Sequence, residues 1–239
     1  MKVRMYNVGF GDCFCLRDRK KSLLVDFGTN NSRIEGRPRR EIFDVIISDL
    51  STIKSKNLLL THFHMDHLSG LLYMMKKKDI SVDFGKIYLP DVFSKKEMSR
   101  TLVLLLLADL LKESGLPSRQ VSLFALVDAL LENKQNVELL SRGKLFENKY
   151  QALWPDTDVI RKETDEVYNR ICEDGKFKEV MDVLLEFAEK LRLIVWSMTA
   201  EGNKPAETVE KETDLTASEL TEQPEVRQKI IRAYVYERE

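Results

Sequence analysis

The chain has 239 residues, 43% hydrophobic and 32% charged, which is enough apolar material for one large domain or two small ones and too much for a disordered chain. A formal net charge of -1 excludes the strongly basic whole-chain footprint of a general polyanion binder. Three cysteines (Cys13, Cys15, Cys172) without a Cys-x-x-Cys pair exclude a disulfide framework and a thiolate metal site. The N-terminal MKVRMYNVGF lacks the apolar core of a signal peptide, and the greasy run Leu102 to Leu111 is broken by Asp109 and falls short of the ~20 residues a bilayer needs. The expectation is a cytoplasmic protein with no membrane span.

In chain order, the first hundred residues alternate strand-like runs with turns. Val3 to Val8, Cys13 to Arg17 and Ser22 to Asp26 read as a meander of short strands, separated by a Gly-Phe-Gly-Asp turn at Gly9 to Asp12 and a charged Asp-Arg-Lys-Lys turn. Cys13 and Cys15 share a strand face, which favours small core residues. A loop rich in Gly, Asn and Arg (Gly28 to Arg40) leads to a helix over Glu41 to Ile53. The apolar run Asn57 to Thr61 is too short for a helix and reads as a buried strand. Leu68 to Lys77 reads as a helix, and Lys86 to Leu89 as a strand stopped by Pro90.

From Lys95 the pattern becomes helical. Met98 to Glu113 and Ser118 to Asn133 form a predicted helical hairpin around Ser114-Gly115-Leu116-Pro117. The first of these helices is apolar all round at 102–107, so it should be sandwiched or should meet a partner. Tyr150 to Trp154 reads as a strand ending at Pro155, and Ile160 to Cys172 and Phe177 to Trp196 as amphipathic helices. Residues from about 199 to 224 are acidic and Thr-rich, and read as a flexible segment. The predicted organisation is an α/β domain over residues 1–155 with a helical insertion at about 95–135, followed by a helical region over 156–239.

The chemistry concentrates in one window. All three histidines lie in His62-Phe63-His64-Met65-Asp66-His67, directly after a predicted buried strand. Alternation puts His62 and His64 on one side, and the turn at Met65 presents Asp66 and His67 from the start of the next helix. Imidazole nitrogen and carboxylate oxygen are the donor set of zinc and its first-row neighbours, so one or two ions, Zn²⁺ or Mn²⁺, are the expected cofactors. Asp26, at the end of the Leu23-Leu24-Val25 strand, would lie at the same sheet edge and could orient a ligand histidine. Taken alone it reads equally well as a turn-forming Asp before Gly28. Asp156 and Asp158 fit a solvated turn better than a metal site and are not assigned.

VDFGTN after a strand, followed some thirty residues on by LLLTHFHMDHLSG, resembles the metallo-β-lactamase superfamily of metal-dependent hydrolases. The segments YNVGFGDCFCLRD and YQALWPD resemble in particular the hydrolase domain attached to bacterial competence DNA-uptake channels. The resemblance covers about residues 3–90 well and Tyr150 to Asp156 weakly. It implies an αββα sandwich of two similar halves, the N-terminal half well matched and the second truncated or degenerate, with helical insertions. It also implies water attack on a phosphodiester, ester, lactone, thioester or β-lactam, with His62 and His64 at a first metal site, Asp66 and His67 at a second, Asp66 aligning the water and Asp12 lining the cleft. The family's second half normally adds another metal-binding histidine, a bridging Asp and a last histidine, and here no histidine follows His67. The expectation is a chain that ends before that half, with two side-chain ligands per ion against the three that catalytic zinc usually takes.

Residues 1–100 hold 19 Lys/Arg against 12 Asp/Glu, whereas residues 101–239 hold 19 against 27. The basic half is the half with the histidines, which slightly favours a phosphodiester, nucleic acid or anionic small molecule as substrate. Arg33, Arg37, Arg39 and Arg40 leave from the Asp26 strand and either meet such an anion or form a solvated loop. Lys76-Lys77-Lys78 fits a helix C-terminus better than a phosphate clamp. The alternative from another class is a non-catalytic relative or fragment, whose helical insertion makes homo-oligomer or partner-protein contacts.

Overall fold

The computed structural model describes residues 1–18, 21–77, 83–113, 122–173 and 175–200. The predicted break at Ser114 to Pro117 and most of the acidic segment lie outside them. The chain divides into two compact units, one comprising Met1–Pro90 and Ala129–Glu138, the other Asp91–Asp128 and Leu139–Glu239.

The first unit is built on a mixed sheet. Strands β1 (Lys2–Met5), β2 (Phe14–Asp18) and β3 (Lys21–Val25) form the antiparallel meander, with Cys15 opposite both Arg4 and Leu24. A two-residue-strand hairpin, β4 (Arg33–Ile34) with β5 (Arg37–Pro38), stands within the predicted loop. Helix α1 (Arg39–Ser51) then crosses to β6 (Ser55–Leu59), which runs parallel to β3, and α2 (Met65–Met75) crosses to β7 (Ile87–Pro90), parallel to β6. Two successive strand-helix-strand units thus place the exits of β3 and β6 side by side, at the carboxyl edge where open α/β sheets bind ligands. The sheet order is β1-β2-β3-β6-β7-β8, the last being Val137–Leu140, whose first two residues belong to this unit.

One sheet face is dry. Cys15, Leu24, Leu58 and Ile87 are aligned across four strands and have no exposed surface. Arg4 and Arg17 share that face with Cys15 by the two-residue period, and both ion-pair with Asp49 of α1, at 2.7 and 3.0 Å. Helix α1 therefore covers this face with Ile42, Phe43, Ile46, Ile47 and Leu50. The Tyr6 hydroxyl also donates to Asp49, and burial together with this carboxylate pushes its pKa up.

In the second unit, α3 (Ser99–Glu113), α5 (Thr157–Glu173) and α6 (Gly175–Ser197) pack on one another. Leu102, Val103, Leu106 and Leu107 are buried there, so the all-round apolar helix is indeed sandwiched. Polar ties cross the bundle: Ser99 Oγ donates to Glu189 at 2.7 Å, and Arg100 pairs with Asp165 at 2.9 Å while its guanidinium lies over the Tyr168 ring. A short hairpin, β9 (Leu145–Phe146) with β10 (Tyr150–Gln151), replaces the longer strand expected over Tyr150 to Trp154. Helix α4 spans Ser122–Glu132. Among the described residues no helix is long and apolar enough to cross a membrane.

The two sides of α1 make a paired test. Ile47→Ala removes a fully buried side chain and is expected to cost about 2–5 kcal/mol. Val45→Ala, on the exposed side of the same helix, should stay within ~0.5 kcal/mol, and urea unfolding of the two variants measures both.

Candidate metal centre

Three segments meet at the carboxyl edge of the sheet: the β1–β2 turn with Asp12, the exit of β3 with Asp26, and the exit of β6 with Thr61 and His62 running into α2. They are joined by main-chain hydrogen bonds. Asp12 N donates to the Asp66 carbonyl (3.2 Å), Gly28 N to the Asp12 carbonyl (3.2 Å), Phe27 N to the His67 carbonyl (2.7 Å), and Gly70 N to the Phe27 carbonyl (2.8 Å). Such close approach needs glycine. A Cβ on Gly28 would sit 2.6 Å from the His67 carbonyl carbon and Leu68 nitrogen, and one on Gly11 would sit 2.3 Å from the Gly28 oxygen.

Asp26 is the hub. Its backbone is left-handed (φ 53°), a conformation that an L-residue adopts at a cost, and the residue is buried. Asp26 N donates to the Leu59 carbonyl at 2.8 Å, extending the β3–β6 ladder by one rung. Its carboxylate then accepts from Thr61 N (2.8 Å), Thr61 Oγ1 (2.7 Å) and His67 Nδ1 (3.0 Å). The left-handed turn is what aims the carboxylate across to the next strand.

These bonds set the histidine tautomers. A carboxylate can only accept, so His67 carries its hydrogen on Nδ1 and keeps the Nε2 lone pair, 3.6 Å from Asp66 Oδ2. The single Thr61 hydroxyl hydrogen goes to Asp26, so Thr61 Oγ1 accepts from His62 Nδ1 at 3.0 Å, which leaves His62 Nε2 with its lone pair as well. The rings of His62 and His67 lie with centroids 3.6 Å apart. Burial, followed by the neighbouring His67 and His64 rings, pulls the His62 pKa below its ordinary value, so this imidazole is neutral at pH 7.

The ligating atoms of His62, Asp66 and His67 lie within 4.8 Å of one another, as do those of Asp12, Asp26 and His67. Two imidazoles and a carboxylate fit a first-row divalent cation, with Asp26 orienting His67 through its other ring nitrogen. His67 belongs to both groups, but its Nδ1 faces Asp26 at 3.0 Å and Asp12 at 3.6 Å. With that nitrogen protonated, the second group serves to position His67. His64 is exposed and stands in neither group, its ring edge-on to His62 at 4.9 Å between centroids. It precedes α2, and its carbonyl accepts from His67 N.

Thr61 and Gly28 were not singled out by sequence reasoning. A Thr directly before the histidine window was the available signal for the first, and Asp-Phe-Gly at the strand exit for the second. Of the other candidates, Lys77 pairs with Asp44 at 2.6 Å, an ion pair that holds the Asp44 carboxyl below its usual range. Asp156 accepts from the Asp158 and Val159 amides at the start of α5 and pairs with Arg142, which is the turn role expected of it.

Gly28→Ala is expected to cost about 1–3 kcal/mol, because the clash is with backbone that carries Asp66 and His67 and cannot rotate away. Thermal unfolding checks it, and no loss of stability would contradict the close approach.

Residues 6–91 match the family model of the metallo-beta-lactamase superfamily. The central mixed sheet and the six helices described above are consistent with a metallo-β-lactamase-like fold. Among curated proteins, the chain is similar to Endoribonuclease YSH1 of Mycosarcoma maydis, 32% identical over 77 residues, a stretch that is 32% of this chain and 8% of that relative. The chain thus matches only a small part of that relative's length. No solved structure matches it.

Proposed function

We propose that this chain is a metal-dependent hydrolase of the metallo-β-lactamase superfamily that cleaves phosphodiesters in nucleic acid, with zinc or manganese as its ion. The observation that carries this reading is the common orientation of two imidazoles: Thr61 and Asp26 occupy the Nδ1 sides of His62 and His67, and both Nε2 lone pairs are left for a cation near Asp66. The superfamily match spans every donor named. Two further observations favour nucleic acid over neutral esters and lactones, the similarity to a protein named as an endoribonuclease and the excess of 19 basic over 12 acidic residues in the first hundred; the resemblance to competence-channel hydrolase domains expected from the sequence would point the same way.

His62, Asp66 and His67 would hold the ion, with the His64 ring edge-on to that of His62. A divalent cation supplies Lewis acidity toward a water molecule and a phosphoryl oxygen. Asp66 accepts the proton of the attacking water and aligns it for in-line displacement. Asp26, dry and held by Thr61, keeps the His67 ring fixed while charge moves beside it.

Elemental analysis of protein from metal-replete medium, combined with hydrolysis of bis(p-nitrophenyl) phosphate in Zn²⁺ or Mn²⁺, tests the reading. The wild-type chain should carry metal and turn over the ester, and Asp66→Ala should lower the rate by about a hundredfold or more. Asp26→Asn should weaken metal binding by about 10- to 100-fold, since the amide no longer favours the same His67 tautomer. Metal-free wild-type protein, or an Asp66→Ala rate equal to wild type, would overturn it.

A further inference from the structure

Two residues before Asp12, the β1–β2 turn carries an aromatic ring that is not part of the core. Phe10 is 72% exposed, yet both its backbone N–H and its carbonyl are hydrogen-bonded. Its N–H donates to Asn31 Oδ1 at 2.7 Å, and its carbonyl accepts from Asn30 N at 2.9 Å and Thr29 Oγ1 at 3.2 Å. A large apolar side chain left in water gains nothing for folding, since burial is the term that would reward it. Phe10 lies two residues from Asp12, so their Cα atoms are at most about 7.6 Å apart, and Asp12 in turn stands 3.6 Å from His67 Nδ1.

The β4–β5 hairpin is fastened to the same turn. Its two central residues, Glu35 (φ 49°) and Gly36 (φ 79°), both have positive φ, the tight hairpin turn that matches strand twist. Ile34 is buried, and a Cβ on Gly9 would lie 3.3 Å from it, while Glu35 accepts from Asn7 Nδ2 at 2.8 Å. The guanidinium of Arg33 closes the turn on the Gly36 carbonyl. Arg37, Arg39 and Arg40 are exposed and pair with no carboxylate among the described residues. Two of these open α1, where the helix dipole disfavours cations, so the fold's own electrostatics do not account for them.

We propose that Phe10 and the arginines of this hairpin form the binding rim for a single-stranded polynucleotide, one base stacking on Phe10 while Arg37, Arg39 and Arg40 track the backbone phosphates toward the metal centre. This rests on the nucleic-acid reading above and narrows it to unpaired strands. Exposed aromatic rings combined with cationic side chains are how single strands are held without base-edge readout, whereas a duplex keeps its bases stacked on one another and offers Phe10 no free face.

The test is fluorescence anisotropy with a labelled ten-nucleotide oligouridylate, the matching oligothymidylate and a duplex of equal length, in EDTA so that binding is read without hydrolysis. Wild-type protein should prefer the single strands to the duplex. Phe10→Ala should weaken single-strand binding about five- to a hundredfold with an unchanged salt slope, and Phe10→Trp should restore it. The triple change Arg37→Ala/Arg39→Ala/Arg40→Ala should flatten the logarithmic salt slope by about 2. Equal binding by Phe10→Ala and wild type, preference for the duplex, or no binding of any oligonucleotide by wild type would overturn the inference. Relative affinity for the uridylate and thymidylate tells RNA from DNA, and either order supports the rim. Turnover of bis(p-nitrophenyl) phosphate by the wild-type chain reports separately on the hydrolase reading, so each claim can fail alone.

Discussion

The site depends on one carboxylate. Asp26 sits where β3 ends, turned into the left-handed region, and from there its two oxygens accept three hydrogen bonds from the neighbouring strand exit and from α2. Without that turn the carboxylate would follow the strand's alternation and could not reach both Thr61 and His67. Three bonds to a buried carboxylate more than offset a backbone conformation that costs on the order of 1–3 kcal/mol. The strain is local, and its result is a pair of histidines with defined tautomers.

The rest of the first unit supplies the frame that makes such a hub possible. The parallel β3–β6 pairing, in register from Lys21 with Ser55 to Val25 with Leu59, fixes the offset between the two strand exits. Helix α1 is held against the sheet by its apolar face and by Asp49, which accepts from Arg4 and Arg17 on the first two strands and from Tyr6 just after the first. Glycines at 11 and 28 remove the side chains that would separate the Asp12 turn from the start of α2. Packing, register and missing Cβ atoms thus converge on the same few ångströms.

Much of this was legible in the amino-acid order, because period and punctuation are local signals. The strand-helix alternation of the first unit, the helix start at Asp66–His67, the buried Cys13 and Cys15 and the sandwiched Leu102–Leu107 segment all follow from side-chain spacing. Strand β8 carries little signal because Val-Glu-Leu-Leu is only four residues long and begins five positions after the last residue of α4, too short a run for its alternation to stand out. The β4–β5 hairpin looks like loop in the sequence because its strands are two residues long and its turn is Glu-Gly rather than Asn-Gly or Asp-Gly. Within the site, residue types were readable but their grouping was not. Alternation alone pairs His62 with His64, whereas the backbone bends before Met65 and brings His62 against His67.

The central claim is that His62, Asp66 and His67 together hold a divalent cation, and anomalous X-ray diffraction at the zinc edge from crystals grown with Zn²⁺ tests it most directly. The account expects an anomalous peak about 2.0–2.1 Å from one nitrogen of each histidine, with an Asp66 oxygen at a similar distance. No peak at these three side chains, or zinc bound only elsewhere on the chain, would contradict it.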